Sequence, residues 1–255
     1  MTTTETPIFT VRQAASAEDL RAAQALRYEV FVAELGGGGP MVDHAARLER
    51  DRFDPHFDHL LLCDEARPGA PVVGVYRLLR DDRAAEIGQF YSEDEYDLAA
   101  LRSTGRRLLE LGRSCLHRDY RGGAGMMHLW QGVADYVQRH GIDILFGVAS
   151  FHGTDPAALA HPLSNLHHRH LAPEALRVRS RAFQSMDLLP EDAIDRPRAV
   201  RETPALIKAY LRLGGTVGEG AFVDRAFNTT DVCLVLDTER LNPRQAGIYA
   251  KGSPA

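Results

Sequence analysis

The segment Leu108–Trp130, LLELGRSCLHRDYRGGAGMMHLW, constrains this chain more than any other. An apolar run carrying one carboxylate, Glu110, passes through a basic, glycine-rich turn into a helical pattern. The spacing predicts a strand over 108–116, a turn, and a helix over 126–140 closed by Gly141. Gly122, Gly123 and Gly125 let the backbone bend tightly with N–H groups outward. The following helix brings its positive dipole end to the same place, and Arg118 and Arg121 add full charges. Such a turn suits a phosphate or pyrophosphate. It meets neither the dinucleotide fingerprint G-x-G-x-x-G nor a Walker loop, which needs Gly-Lys-Ser/Thr.

The rest of the chain reads as a sheet with helices on both faces. Phe9–Arg12 is a short strand, and Ser16 caps a helix running from Ala17 to about Ala33. Leu20, Ala23, Leu26 or Arg27, Val30 and Phe31 lie along one face of that helix. GGGGP at 36–40 ends it and begins a flexible loop. HLLLC (59–63) and VVGVYRLL (72–79), separated by PGAP, form an antiparallel hairpin. A weaker strand is expected at 85–90, a short helix at 98–106, a buried central strand at 144–150 and a helix at 155–168. A long alternating strand is expected at 175–186, an irregular excursion at 190–204, a helix at 205–213 and a last buried strand at 232–236. These elements fit one mixed sheet in a single domain, 1–255, with a short disordered N-terminus and an extra segment at about 187–222.

Composition narrows the classes of function. With 255 residues, 44% of them hydrophobic, the chain can bury a proper core. Its net charge of −5 argues against nucleic-acid binding by bulk electrostatics. Six arginines nevertheless fall between Arg102 and Arg121 against Glu110 and Asp119, a local patch suited to an anionic ligand or an acidic partner. Cys63, Cys115 and Cys233 are few, odd in number and far apart, which fits a reducing cytoplasm and gives neither a zinc spacing nor a disulfide framework. No signal peptide and no membrane-spanning run is expected. In HPLSNLHHRH (161–170), His167, His168 and His170 cannot all face one way on a helix and have no neighbouring carboxylate in sequence. No metal and no bound cofactor is expected.

Here the chain resembles a known family. LHRDYRGGAGMMHLW is similar to the pyrophosphate loop of the Gcn5-related N-acyltransferases, whose pattern is Arg/Gln-x-x-Gly-x-Gly/Ala. The resemblance implies a GNAT fold: α/β (α+β), with a mixed, mostly antiparallel central sheet and helices on both faces. It also implies that the loop holds the phosphopantetheine arm of coenzyme A or of an acyl carrier protein. Ala124 and Met126 stand where the family usually has Gly, a departure that the single phosphodiester of a carrier-protein arm tolerates. LRYEVFVAEL (26–35), LERDRFDPHFDHLLL (48–62), VVGVYRLL (72–79) and ELGRSC (110–115) resemble the carrier-dependent branch. That branch holds the N-acyl-homoserine-lactone synthases and the ornithine–acyl carrier protein N-acyltransferases of ornithine-lipid synthesis. The motifs carry over onto Arg27 and Phe31, Glu49, Asp51 and Asp54, Gly74 and Arg77, and Glu110 and Arg113. Gly37 departs from the Trp of the lactone synthases, while FGVASFHGTDP (146–156) and 213–237 look like the ornithine-lipid enzymes.

The implied reaction moves a fatty or 3-hydroxy-fatty acyl group from an acyl carrier protein to the α-amine of L-ornithine. Glutamine or lysine as acceptor, a lactone synthase, and a non-catalytic acyl-thioester-binding protein are the alternatives. Amide formation needs a neutral amine, and a free α-amino group has a pKa near 8, so a base is required. Glu110, in its apolar strand, is the expected catalytic base; its other reading is a structural partner of Arg113 or Arg77. Backbone N–H groups around Ser114 to Leu116 are expected to polarise the thioester carbonyl. Asp51 and Asp54 suit the side-chain ammonium of ornithine, and Arg77 or Arg27 its carboxylate, with Phe31 and Arg113 in the same pocket. Ordinary loop ion pairs are the other reading of the aspartates. Arg27 on an apolar face needs a partner, with Asp51 or Glu110 expected. Ser114, Leu116, Arg118, Arg121, Gly122, Gly123 and Gly125 are the expected arm-binding set, and the arginines from 102 to 121 the docking surface for an acidic carrier. The place of action is expected to be the cytoplasm, with peripheral contact at the inner membrane left open by the amphiphilic product.

Overall fold

The structure, a computed structural model, describes residues 6–241. In chain order the elements are β1 (Phe9–Gln13), α1 (Ala17–Arg27), a π-helical segment (Tyr28–Glu34), β2 (Val42–Asp43), β3 (Leu48–Glu49), β4 (Asp58–Asp64) and β5 (Val72–Arg80). Then come α2 (Asp81–Ile87), β6 (Tyr96–Asp97), α3 (Ala99–Arg102), β7 (Leu108–Leu116), α4 (Gly125–His140) and β8 (Ile144–His152). The rest are α5 (Ala160–His170), β9 (Arg179–Ser180), α6 (Arg196–Glu202), α7 (Ala205–Arg212), β10 (Thr216–Val217), β11 (Phe222–Asp224) and β12 (Thr229–Asp237). This is a mixed α/β fold with largely antiparallel strand pairing and flanking helices. The chain divides into two compact units, residues 6–79 with 111–140, and residues 80–110 with 141–241. Part of the expected disordered N-terminus, residues 1–5, lies outside the described residues; 6–8 have no regular structure. Among the described residues no helix is long and apolar enough to cross a membrane.

In the first unit β1 pairs antiparallel with β4, from Phe9↔Asp64 to Gln13↔Leu60, and β4 with β5. The β4–β5 turn uses left-handed Gly69 and Ala70, the PGAP of the sequence. Both strands are buried along nearly their whole length, as continuous apolar runs require. Ser16 caps α1 through its side chain, which accepts from the Asp19 N–H. The expected single helix to Ala33 is instead α1 followed by seven π-helical residues. A π-turn widens the helix and re-aims the side chains at its end. Val30 thereby joins a core of Ala23, Leu26, Leu61, Cys63, Val75 and Cys115, with Phe31 packed on its border. Helix α4 buries Leu129, Trp130, Val133 and Tyr136, and Tyr136 donates to Asp58.

In the second unit β8 pairs antiparallel with β12 from Ile144↔Asp237 to His152↔Thr229. β12 also pairs with β10 and β11, and Leu108–Glu110 of β7 run parallel to Ile144–Phe146. Residues 81–87 are a helix where a weak strand was expected at 85–90. Asp81 and Asp82 complement its N-terminus and Gly88, at φ +90°, ends it. The expected 98–106 helix shortens to Ala99–Arg102, and the 155–168 helix becomes Ala160–His170. The alternating 175–186 segment is not one strand. Its backbone bonds are divided among several partners: Ser180 N–H to Glu219, Arg181 N–H to Glu95 and Gln184 N–H to Ala221. An alternating pattern records burial of every second side chain and does not require one continuous partner strand.

Gly74 is the tightest close approach in β5. A Cβ there would sit 2.6 Å from Leu116 Cδ2 and 3.1 Å from Leu129 Cδ1. Gly74→Ala is expected to overpack this contact and cost about 1–3 kcal/mol. Urea unfolding measures it, and an unchanged midpoint would show that Leu116 moves aside without strain.

Candidate active site

Six charged side chains from four segments converge in the first unit. Arg27, at the end of α1, is fully buried. Its Nη1 and Nη2 donate to both oxygens of Asp54 at 2.8 and 2.7 Å, and its Nε lies 2.5 Å from Glu49 Oε2. Arg77, from β5, donates to Asp51 and Asp54, each at 2.7 Å, and its guanidinium lies 4.1 Å from the Phe57 ring centre. Arg113 donates from Nε to Glu49 at 3.1 Å and approaches Asp51 at 3.6 Å. Gln24 adds a bond to Asp54 at 2.9 Å. The Asp51 side chain accepts from the N–H groups of Phe53 and Asp54, a local turn that presents Asp54 to both guanidiniums.

The network alternates three cations with three anions, as buried charge requires. Burial opposes ionisation of Asp54, but the hydrogen bond from Arg27 and the charges of Arg27 and Arg77 hold its carboxyl well below the usual range. Burial likewise works against the Arg27 cation, and Glu49 and Asp54 more than restore it. Beside the network, His59 is buried and its Nε2–H donates to the Asp54 carbonyl at 3.0 Å; burial pushes its imidazole down.

The structure therefore brings Arg27, Asp51, Asp54, Arg77 and Arg113 together, and pairs them with one another. Asp51 and Asp54 answer guanidiniums of the same chain, and Arg27 and Arg77 answer them in return. The partners of Arg27 are Asp54 and Glu49, not Asp51 or Glu110. Glu49 stood in the sequence motif without a role and is a full member of the network. Phe31 packs on the core border. Cys115, on β7, is buried, and burial pushes its thiol up to about 12.

Glu110 is buried in the second unit. Its Oε2 accepts from the Tyr91 N–H at 2.8 Å and its Oε1 from the Ser92 N–H at 2.6 Å and the Ser92 hydroxyl. It thus caps the turn Tyr91–Asp94 as well as interrupting an apolar strand. Arg113 and Arg77, the alternative partners expected for Glu110, donate to Glu49, Asp51 and Asp54.

The glycine-rich turn has the expected shape. Arg118–Tyr120 form a single 3-10 turn, Gly122 is left-handed at φ +76°, and α4 starts at Gly125. Gly122 and Gly123 border open space, whereas a Cβ on Gly125 would come within 3.3 Å of Leu62. Upstream, Arg113 is left-handed at φ +51° in mid-strand, held there by its bond to Glu49. Ser114 follows directly, and Leu116 is buried. The arginines of the turn are not bare: Arg121 forks onto Glu34 at 2.5 and 2.8 Å, and Arg118 lies 3.6 Å from Glu29. The expected patch from 102 to 121 is likewise divided. Arg102, Arg106 and Arg107 lie in the second unit, where Glu93 holds Arg102 and Asp237 holds Arg106. Nothing local in sequence announces Glu29 and Glu34, because they reach the turn only through the fold. The structure also supplies the carboxylate missing beside the histidines, placing Asp187 3.1 Å from His168 and 3.8 Å from His167.

Residues 26–131 match the acetyltransferase (GNAT) domain family model. The chain is 61% identical over 246 residues to the L-ornithine N(alpha)-acyltransferase of Rhodobacter capsulatus, covering 95% of each chain. The chain belongs to the L-ornithine N(alpha)-acyltransferase family. The family's protein from Brucella abortus is 44% identical over 94% of this chain and 88% of its own length. A solved CoA-dependent acyl-homoserine lactone synthase with SAM and isopentyl-CoA matches at a TM-score of 0.55 and 15% identity, covering 97% of this chain and 92% of that one; it shares the fold. Membership in the L-ornithine N(alpha)-acyltransferase family and the GNAT match place the chain among the acyltransferases.

Removing Asp54 leaves two buried guanidiniums facing each other. Asp54→Asn is expected to cost about 3–5 kcal/mol of stability, read by urea unfolding. Acid acts on the same place. His59 and Asp54 are both held below their ordinary values, so the unfolded chain takes up protons first. The stability His59 contributes is full above about pH 6.5 and is lost as pH falls towards its folded value; that of Asp54 is full above about pH 4 and is lost lower still. Urea midpoints between pH 8 and 3 should fall in these two stages, and His59→Asn should remove the first. A midpoint independent of pH from 7 to 5 counts against the assignment.

Proposed function

We propose that this chain transfers a fatty acyl group from the thioester of an acyl carrier protein to the α-amine of L-ornithine, giving lyso-ornithine lipid and the free carrier thiol. The observation that carries the acceptor is the 61% identity, along 95% of both chains, to the L-ornithine N(alpha)-acyltransferase of Rhodobacter capsulatus. An acyl donor is needed by any member of this fold family. The carrier-protein arm is favoured by the loop, where Ala124 and Met126 replace the usual glycines and the arginines already face carboxylates.

The chemistry follows from what the residues offer. The α-ammonium must lose a proton before its nitrogen attacks the thioester carbon. Glu110 is the base in this reading, directly or through a water, and the donors from Tyr91 and Ser92 fix the direction in which its carboxylate faces. Backbone N–H groups around Ser114 to Leu116, which follow left-handed Arg113, polarise the carbonyl as negative charge develops on its oxygen. The C–N bond forms, the C–S bond breaks, and the thiolate leaves on the arm held by the 118–125 turn. The Arg27–Asp54–Arg77 network serves as the rigid base of the acceptor pocket, with Arg113 and Phe31 at its border. The reaction takes place in the cytoplasm, and the amphiphilic product passes to the inner membrane surface.

Incubation with a long-chain acyl-carrier thioester and a panel of ornithine, lysine and glutamine, read by mass spectrometry, tests the acceptor. N-acyl-ornithine should dominate, and lysine or glutamine products at equal rate would overturn the assignment. Glu110→Gln should lower kcat by about 10²–10⁴-fold with little change in the donor's KM. Full kcat across the pH range would remove Glu110 from the base role. Arg118→Glu should raise KM for the carrier thioester and leave KM for ornithine unchanged; equal effects on both would reject docking at this turn.

A further inference from the structure

The charge on the phosphate turn is nearly balanced before any ligand arrives. Arg121, about two-fifths exposed, is held on both fork nitrogens by Glu34, and its Nε donates to the Leu116 carbonyl at 3.1 Å. Glu29 lies between Arg47, at 2.8 Å, and Arg118, at 3.6 Å. Asp119, on the turn itself, is beside His117. Both Glu29 and Glu34 come from the π-helical segment, whose widened turn carries two carboxylates to the loop. A turn built for several phosphates would leave its guanidiniums uncompensated. This one presents each of them already facing a carboxylate.

We propose that Glu34, seconded by Glu29, is a donor-selecting residue: it occupies the Arg121 fork so that the single phosphodiester of a carrier-protein arm displaces it, while the denser phosphate charge of a coenzyme A thioester is disfavoured. A planar guanidinium binds carboxylate and phosphate by the same bidentate geometry, so one monoanion can replace another on the fork. After displacement Glu34 remains within a Debye length of about 8 Å, as does Glu29. Each further phosphate on the ligand meets their repulsion. A pyrophosphate with an additional ribose phosphate therefore loses more than a lone phosphodiester. The inference rests on the carrier-protein reading above and adds the residues that enforce it.

The test compares kcat/KM for three donors with the same acyl chain and ornithine as acceptor: acyl-pantetheine, which has no phosphate, the acyl-carrier thioester, and acyl-coenzyme A. Glu34→Gln should raise kcat/KM for acyl-coenzyme A about three- to five-fold relative to acyl-pantetheine, through KM rather than kcat, as expected for one exposed charge pair. Glu29→Gln should give a smaller change in the same direction. Both gains should shrink in 0.5 M salt, where screening is within about 5 Å. Glu239→Gln, an exposed carboxylate in the other unit, should leave the donor ratio unchanged. An unchanged ratio in Glu34→Gln, or an equal gain in Glu239→Gln, overturns the proposal. The two levels separate cleanly. A wild-type protein that uses coenzyme A and carrier thioesters equally removes the carrier reading and this inference with it. A carrier-selective wild type with a flat Glu34→Gln response removes this inference alone.

Discussion

Asp54 lies between two guanidiniums that reach it from residues 27 and 77, and much of the first unit is arranged to keep it there. Each buried ion costs several kcal/mol to desolvate, so the cluster is tolerable only when every charge has its counter-charge and its hydrogen bonds. That requirement couples α1, the 48–54 segment, β5 and β7 through side chains that cannot be shifted singly. It also explains why Arg113 is held in a left-handed conformation inside a strand, where a non-glycine residue costs about 1–3 kcal/mol. The bond to Glu49 offsets that strain.

The same residues were open to a substrate role from their chemistry alone. An aspartate pair suits an ammonium and an arginine suits a carboxylate, whether or not they have already found each other. Only the burial of the cluster distinguishes the cases. In this one Arg27, Glu49, Asp54 and Arg77 are all buried, so its members hold one another in place. Acyl transfer benefits from such rigidity, because the attacking amine and the thioester must meet within a fraction of an ångström.

Sequence reading succeeded where the constraint is local. Gly122 and Gly141 need left-handed backbone, the hairpin around PGAP needs a tight turn, and the apolar runs at 59–63, 144–150 and 232–236 need two covered faces. Sequence also singled out Arg27 as a buried cation in want of a partner. It misjudged 175–186, where alternation survives although the backbone partners are split among several segments. It missed the π-turn after Arg27, because a widened turn has no residue-type signature comparable to a cap or a glycine.

The sequence alone determined the strand–turn–helix at 108–140, its glycine-lined turn, and the set of charged motif residues from 27 to 113, since backbone freedom, dipole and formal charge belong to residues individually. Tertiary structure alone decided who pairs with whom. Glu49 rather than Asp51 or Glu110 meets Arg27, Glu34 takes the fork of Arg121, and Tyr91 and Ser92 claim Glu110. These partners lie 18 to 87 residues apart in the chain. Coulomb attraction and hydrogen-bond geometry act over a few ångströms of space, and the distance along the sequence carries no trace of them.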